Sequence, residues 1–137
     1  MTDTDRALER IMLVEDEEDI RAVASLALEA VGGFTLKTCD SGQNALEVIA
    51  DFRPQLILLD VMMPGMDGPS TLREIRQNPD FATTPAIFMT AKVQPEEVKS
   101  YLALGAVSVI PKPFDPMVLS DRIREIWSAL PPGIRSE

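Results

Sequence analysis

Carboxylates crowd two places in this chain. Val14 closes one apolar run and is followed at once by Glu15-Asp16-Glu17-Glu18-Asp19, and Leu59 closes another and is followed by Asp60. If the two runs are neighbouring strands, Glu15, Asp16 and Asp60 converge in one crevice. Like charges held that close repel and disfavour ionisation, and a hard divalent cation bound through oxygen is the simplest remedy. Mg²⁺ suits such a place, because it takes one or two carboxylates, keeps several waters and leaves room for a phosphoryl oxygen. The chemistry this would support is transfer of a phosphoryl group to a carboxylate, the ion bridging acceptor and phosphate and offsetting the charge of the transition state.

Two further polar residues end apolar runs. Thr90 follows Ile87-Phe88-Met89, and Lys112 follows Val109-Ile110-Pro111. A hydroxyl and an ammonium aimed at one point can hold phosphate oxygens. Lys112 is squeezed between two prolines, and Lys112-Pro113 is a candidate cis bond that would aim the side chain inward. Taken singly, each group has a plainer reading: Asp16 as a helix cap, Asp60 as a turn residue, Thr90 as a β-branched strand residue, Lys112 as a surface lysine. Glu17, Glu18 and Asp19 are read as an acidic first turn that complements a helix dipole. The convergence of the others is what points to a cation site.

The elements that must position them follow from the hydrophobic pattern. Ile11–Val14, Gln55–Leu59, Ala86–Met89 and Ala106–Ile110 are unbroken apolar runs, the signature of parallel strands buried on both faces. Thr35–Cys39 is a weaker fifth strand, expected at an edge. Helical stripes lie between: Ile20 to Val31, stopped by Gly32-Gly33; Ala45 to Phe52, ended by Pro54; a third from Gly68-Pro69 to Asn78-Pro79; a fourth marked by Val98, Tyr101 and Leu102 and closed by Gly105; and Leu119 to Leu130, broken by Pro131-Pro132. The order (βα)₅ with right-handed crossovers implies an α/β fold, a doubly wound five-stranded parallel sheet of flavodoxin-like type. Its usual strand order is 2-1-3-4-5, with the site outside the carboxyl ends of strands 1 and 3.

Composition limits the classes further. A chain of 137 residues is one domain, here expected to span 9–130 with tails at 1–8 and 131–137. Apolar residues make up 45 % of it, which argues against disorder. The net charge of −9 makes it a poor binder of polyanions, so nucleic acid and anionic membrane surfaces are not expected as direct partners. Cys39, the one cysteine, cannot form an internal disulfide, which fits a reducing compartment. Met1 to Arg10 is too polar for a signal peptide, and no apolar run approaches the ~20 residues that span a bilayer. The expectation is a soluble, cytoplasmic protein. The absence of histidine excludes His-based metal sites and His general bases.

From about Arg10 to Leu130 the chain resembles the receiver domains of two-component response regulators. The resemblance is carried by Val14-Glu15-Asp16, by Leu59-Asp60-Val61-Met62-Met63-Pro64-Gly65-Met66-Asp67-Gly68, by Met89-Thr90-Ala91 and by Pro111-Lys112-Pro113-Phe114, in that order within the (βα)₅ pattern. It implies that Asp60 is the phospho-acceptor, and that Glu15, Asp16, Asp60 and the backbone carbonyl of Met62 serve Mg²⁺. Thr90 is then the switch hydroxyl and Lys112 the lysine that pairs with the phosphate. The donor would be a sensor histidine kinase or phosphotransfer protein; lacking histidine, the chain cannot be that donor. The change of shape would be read by a separate downstream effector protein, as in a stand-alone regulator. The expected surface is helix 4, strand 5 and helix 5, here Glu96 to Leu104 and Asp115 to Trp127, which is also where a homodimer would form. Such a domain is not an enzyme acting on other substrates, though it assists its own phosphorylation and slow dephosphorylation.

Two departures stand out. Glu15 replaces the more usual aspartate, and Val109 stands where many receivers carry the Tyr or Phe that swings inward when the threonine moves. Met62 and Lys92 occupy the variable positions two residues after the acceptor and the threonine. A haloacid dehalogenase-type phosphatase would need a second acid where Met62 stands. An FMN carrier would need a hydroxyl- and glycine-rich phosphate loop where Glu15-Asp16-Glu17 would repel the phosphate. The rival reading is a degenerate receiver that binds partners without phosphorylation, and the complete set of Glu15, Asp16, Asp60, Thr90 and Lys112 argues against it.

Overall fold

Five short strands pair side by side, all parallel, in the order β2-β1-β3-β4-β5. The computed structural model describes residues 7–131. The strands are β1 (Arg10–Val14), β2 (Thr35–Cys39), β3 (Leu56–Asp60), β4 (Ala86–Thr90) and β5 (Ser108–Pro111). The helices are α1 (Glu18–Ser25), α2 (Gly42–Phe52), α3 (Gly68–Arg76), α4 (Pro95–Ala103) and α5 (Leu119–Ala129), with a single 3₁₀ turn at Pro79–Phe81.

Strand side chains alternate between two cores. Ile11, Leu13, Leu56, Leu58, Ile87 and Met89 pack against α1 and α5. Met12, Val14, Ile57, Leu59, Ala86 and Phe88 pack against α2, α3 and α4. Every residue of β3 and β4 is buried, and both strands are apolar up to their last residue. The polar residue that ends each of them is thereby forced to the rim.

Several boundaries differ from the sequence reading. The β3 and β4 ladders run one residue further, so Asp60 and Thr90 are the last strand residues rather than the first loop residues. Gln55 lies outside β3, and its side-chain Oε1 accepts from the amides of Glu9 (2.7 Å) and Arg10 (2.8 Å). The strand expected over Ala106–Ile110 begins at Ser108 and lies at the sheet edge with β4 as its one strand neighbour; Ile110 enters one core, Val109 packs against the other, and Ser108 and Val109 are half-buried. Ala106 is instead drawn into the end of α4, its amide donating to the Tyr101 carbonyl at 3.4 Å. The helix expected to reach Val31 does so, but widens to a π-helical segment over Leu26–Val31. There the buried Ser120 Oγ donates to the Ala27 carbonyl at 2.9 Å.

The tails expected at 1–8 and 131–137 lie mostly outside the described residues. Leu8 is described, and it packs into the α1/α5 core. Among the described residues no helix is long and apolar enough to cross a membrane.

Candidate functional site

The register sets the site. Val14 pairs with Leu59, so the residues that follow, Glu15 and Asp60, lie side by side at the rim of the sheet. The Glu15 amide still donates to the Cys39 carbonyl at 3.0 Å, extending the β1–β2 ladder to the rim. Carboxylate oxygens of Glu15, Asp16 and Asp60 all lie within 4.8 Å of one another. Glu15 and Asp60 are buried and Asp16 is half-buried.

One cation serves two of them. Lys112 Nζ donates to Glu15 Oε1 and to Asp60 Oδ1, each at 3.1 Å. Lys112 enters from the end of β5, beyond the Thr90–Pro111 pair, and its own amide donates to the Thr90 carbonyl at 2.9 Å. The Lys112-Pro113 bond is cis, as the sequence suggested. Backbone donors add a little: Glu17 N reaches Glu15 Oε2 at 3.1 Å and Met62 N reaches Asp60 Oδ1 at 3.3 Å. Asp16 Oδ1 is buried and has no hydrogen-bond partner.

The electrostatics follow from three carboxylates facing one ammonium. Burial first, and then the charge of Glu15, push the Asp60 carboxyl up to about 7 against the opposing pull of Lys112. Burial acts against the charged form of Lys112, but its hydrogen bonds and charge contacts to Glu15 and Asp60 outweigh this and hold its pKa above the usual lysine value. The two shifts are consistent: the cation has two anions, while Glu15 and Asp60 have only a share of one cation. A buried acceptor without a partner calls for an explanation. Here an all-oxygen donor set, excess negative charge and an orphaned carboxylate oxygen together fit a hard divalent cation.

Asp16 and Asp60 open onto a cavity of ≈ 700 Å³ that is also lined by Thr90, Lys112 and Met62, with Val23 and Phe114 in its apolar wall. Thr90 is buried at its edge, and its Oγ1 accepts from the Lys92 amide at 3.0 Å. Gly68, the first residue of α3, has its Cα against the Asp60 carbonyl and Val61, where a Cβ would collide with backbone. Glycine is what lets α3 seat so close to the acceptor loop. The structure thus brings together Glu15, Asp16, Asp60, Met62, Thr90 and Lys112. It adds one residue that the sequence reading missed, Arg21, whose guanidinium Nη1 donates to the carbonyls of Glu15 (2.8 Å) and Asp16 (3.4 Å). Nothing in the apolar periodicity of α1 marks it.

Comparison with known proteins identifies the family and the fold. Residues 11–124 match the model of the response regulator receiver domain. The chain is 40 % identical over 116 residues to the transcriptional regulatory protein CseB of Streptomyces avermitilis, covering 85 % of this chain and 48 % of CseB. It is 38 % identical over 109 residues to the regulatory protein AtoC of Escherichia coli, covering 80 % of this chain and 23 % of AtoC. The chain therefore spans half or less of these curated relatives. Among solved structures, the chemotaxis protein CheY4 of Vibrio cholerae superposes with a TM-score of 0.81 at 28 % identity, covering 88 % of this chain and 99 % of CheY4.

Proposed function

Since the chain belongs to the response regulator receiver family, we propose that it takes a phosphoryl group onto Asp60 from the phosphohistidine of a sensor kinase or phosphotransfer protein. The observation that carries the reading is the cluster itself: three carboxylates within 4.8 Å, one of them with an orphaned buried oxygen. Glu15, Asp16, Asp60 and the Met62 carbonyl would hold Mg²⁺, which when bound supplies positive charge to the phosphoryl oxygens in flight. Asp60 Oδ1 is engaged by Lys112 and the Met62 amide, which leaves Oδ2 as the nucleophile. Oδ2 forms the new bond to phosphorus as the phosphorus–nitrogen bond breaks, and the electron pair leaves with the imidazole. An ionised carboxylate has no proton to lose, so no general base is needed. Lys112 can pivot from Asp60 to a phosphoryl oxygen without leaving the crevice, so positioning and electrostatics carry the rate.

The acyl phosphate adds charge and acceptor oxygens. Thr90 and Lys112 reorganise around it and bias the face formed by α4, β5 and α5. A separate effector protein reads that face, and a homodimer would form through it. The chain is a cytoplasmic signalling domain of one unit, 9–130, that assists its own phosphorylation and slow dephosphorylation. Incubation with acetyl phosphate and Mg²⁺, followed by intact mass measurement, tests this. One Mg²⁺-dependent, alkali-labile phosphoryl adduct is expected, absent in Asp60→Asn. No adduct with any donor, or a stable adduct elsewhere, would instead favour a degenerate, phosphorylation-independent receiver.

A further inference from the structure

Arg21 occupies a place that helix stability does not explain. It is the fourth residue of α1, next to the positive end of the helix dipole, where a cation is disfavoured. Its amide closes the first helical turn onto the Glu17 carbonyl at 2.9 Å. Its guanidinium then turns back past the helix start and donates to the Glu15 and Asp16 carbonyls. The helix has no side-chain cap at Glu17, so the turn that carries both acidic residues depends on contacts from elsewhere. The Glu15 side chain is fixed by Lys112 and by the Glu17 amide. Asp16 has no cation partner, and its Oδ1 is buried and unbonded. Asp16 is held through its backbone, where Arg21 donates to the carbonyls of the two peptides that flank it.

We propose that Arg21 is a positioning residue for the cation site, fixing the Glu15–Asp16 turn so that Asp16 Oδ1 is presented to the ion before the ion arrives. The inference rests on the function proposed above and adds to it a residue outside the acidic set. Groups that orient metal ligands from outside the ligand set typically change metal affinity by about 10- to 100-fold when removed. The sign is diagnostic. If Arg21 acted only as a charge, deleting it would remove a repulsion and tighten Mg²⁺ binding. If it positions the turn, deletion loosens binding.

Mg²⁺ titration by calorimetry on the whole chain distinguishes the two, using Arg21→Met and Arg21→Lys beside the unaltered protein. Arg21→Met keeps the stem and loses donor and charge, and its Mg²⁺ dissociation constant is expected to rise about tenfold. Arg21→Lys keeps the charge and shortens the reach, and should be weakened by a smaller factor. In both variants the rate of phosphorylation by acetyl phosphate should fall at low Mg²⁺ and return to that of the unaltered protein at saturating Mg²⁺, a split that general loosening of the fold would not give. Unchanged or tighter binding in Arg21→Met overturns the proposal while leaving the function above intact. If that variant does not fold, unchanged affinity in Arg21→Lys overturns it equally. If the unaltered chain binds no Mg²⁺, both readings fall together.

Discussion

Lys112 Nζ lies 3.1 Å from Asp60 Oδ1, joining the end of β5 to the end of β3 across the rim of β4. The same ammonium is 3.1 Å from Glu15 Oε1 at the end of β1. One side chain therefore ties together three of the five strand ends at the carboxyl edge. The consequence is a site strung between charges that cannot all be satisfied within the protein.

Removing that tie tests the balance. Lys112→Met leaves Glu15 and Asp60 buried beside each other with no counter-charge, and breaking a buried pair by deleting one partner typically costs about 3 kcal/mol or more. In urea unfolding without metal at pH 8, the variant should lose roughly that much stability. Much of the loss should return on adding Mg²⁺, and less should be lost at pH 5, where Asp60 can protonate. A loss independent of both pH and Mg²⁺ would show that Lys112 contributes through packing of its stem and not through charge.

The raised Asp60 carboxyl makes a second prediction, with a definite sign. Its folded value of about 7 lies above the ordinary 3.8, so between those pH values the folded form holds a proton that the unfolded chain has released. Asp60's contribution to the stability of the metal-free protein must therefore fall as pH rises through that window. Asp60→Asn removes the titration, so the difference in unfolding free energy between variant and unaltered protein should grow from pH 4 to pH 7 and then level off. Because Mg²⁺ displaces the same proton, its affinity should rise over the same range. Parallel stability profiles for the two proteins in EDTA would remove Asp60 as the titrating group.

The site was legible in the sequence because strand ends fix side-chain positions. Once the runs ending at Val14, Leu59, Met89 and Pro111 are read as parallel neighbours, Glu15, Asp60, Thr90 and Lys112 must share one edge. The strand order was legible for the same reason, given the handedness of crossovers. Other features depended on information that periodicity lacks. Ala106-Val107 looks like the start of a strand, yet Gly105 turns the chain at φ 107° and Ala106 is held by the Tyr101 carbonyl. Leu8 was assigned to a tail because it precedes the apolar run, but Gln55 Nε2 holds the Ala7 carbonyl at 3.0 Å and so brings Leu8 onto the core. Arg21 escaped notice because a long side chain folding back five and six residues along the chain leaves no repeat to detect.

Val109 supplies the last prediction. It pairs with Phe88 in the β4–β5 register, and Phe88 stacks edge-on against Tyr101 of α4, with ring centroids 5.5 Å apart at 62°. The aromatic contact between sheet and helix is thus made from β4, and β5 contributes only an isopropyl group. Beside it lies a recess of ≈ 260 Å³ lined by Val93, Val98, Leu102, Val109, Pro111 and Arg122. A ring at position 109 has room to lie there without disturbing the Phe88–Tyr101 pair, and it would cover apolar surface now left open. Val109→Phe is therefore expected to raise the melting temperature by a few degrees, since about 1 kcal/mol shifts a domain of this size by roughly 2–8 °C. The rate of Asp60 phosphorylation by acetyl phosphate should stay the same, because none of the recess residues belongs to the acidic cluster. The two readouts separate the outcomes: a lower melting temperature would mean the recess is too shallow for the ring, and an altered rate would mean β5 packing is coupled to the Lys112 position already in the unphosphorylated protein.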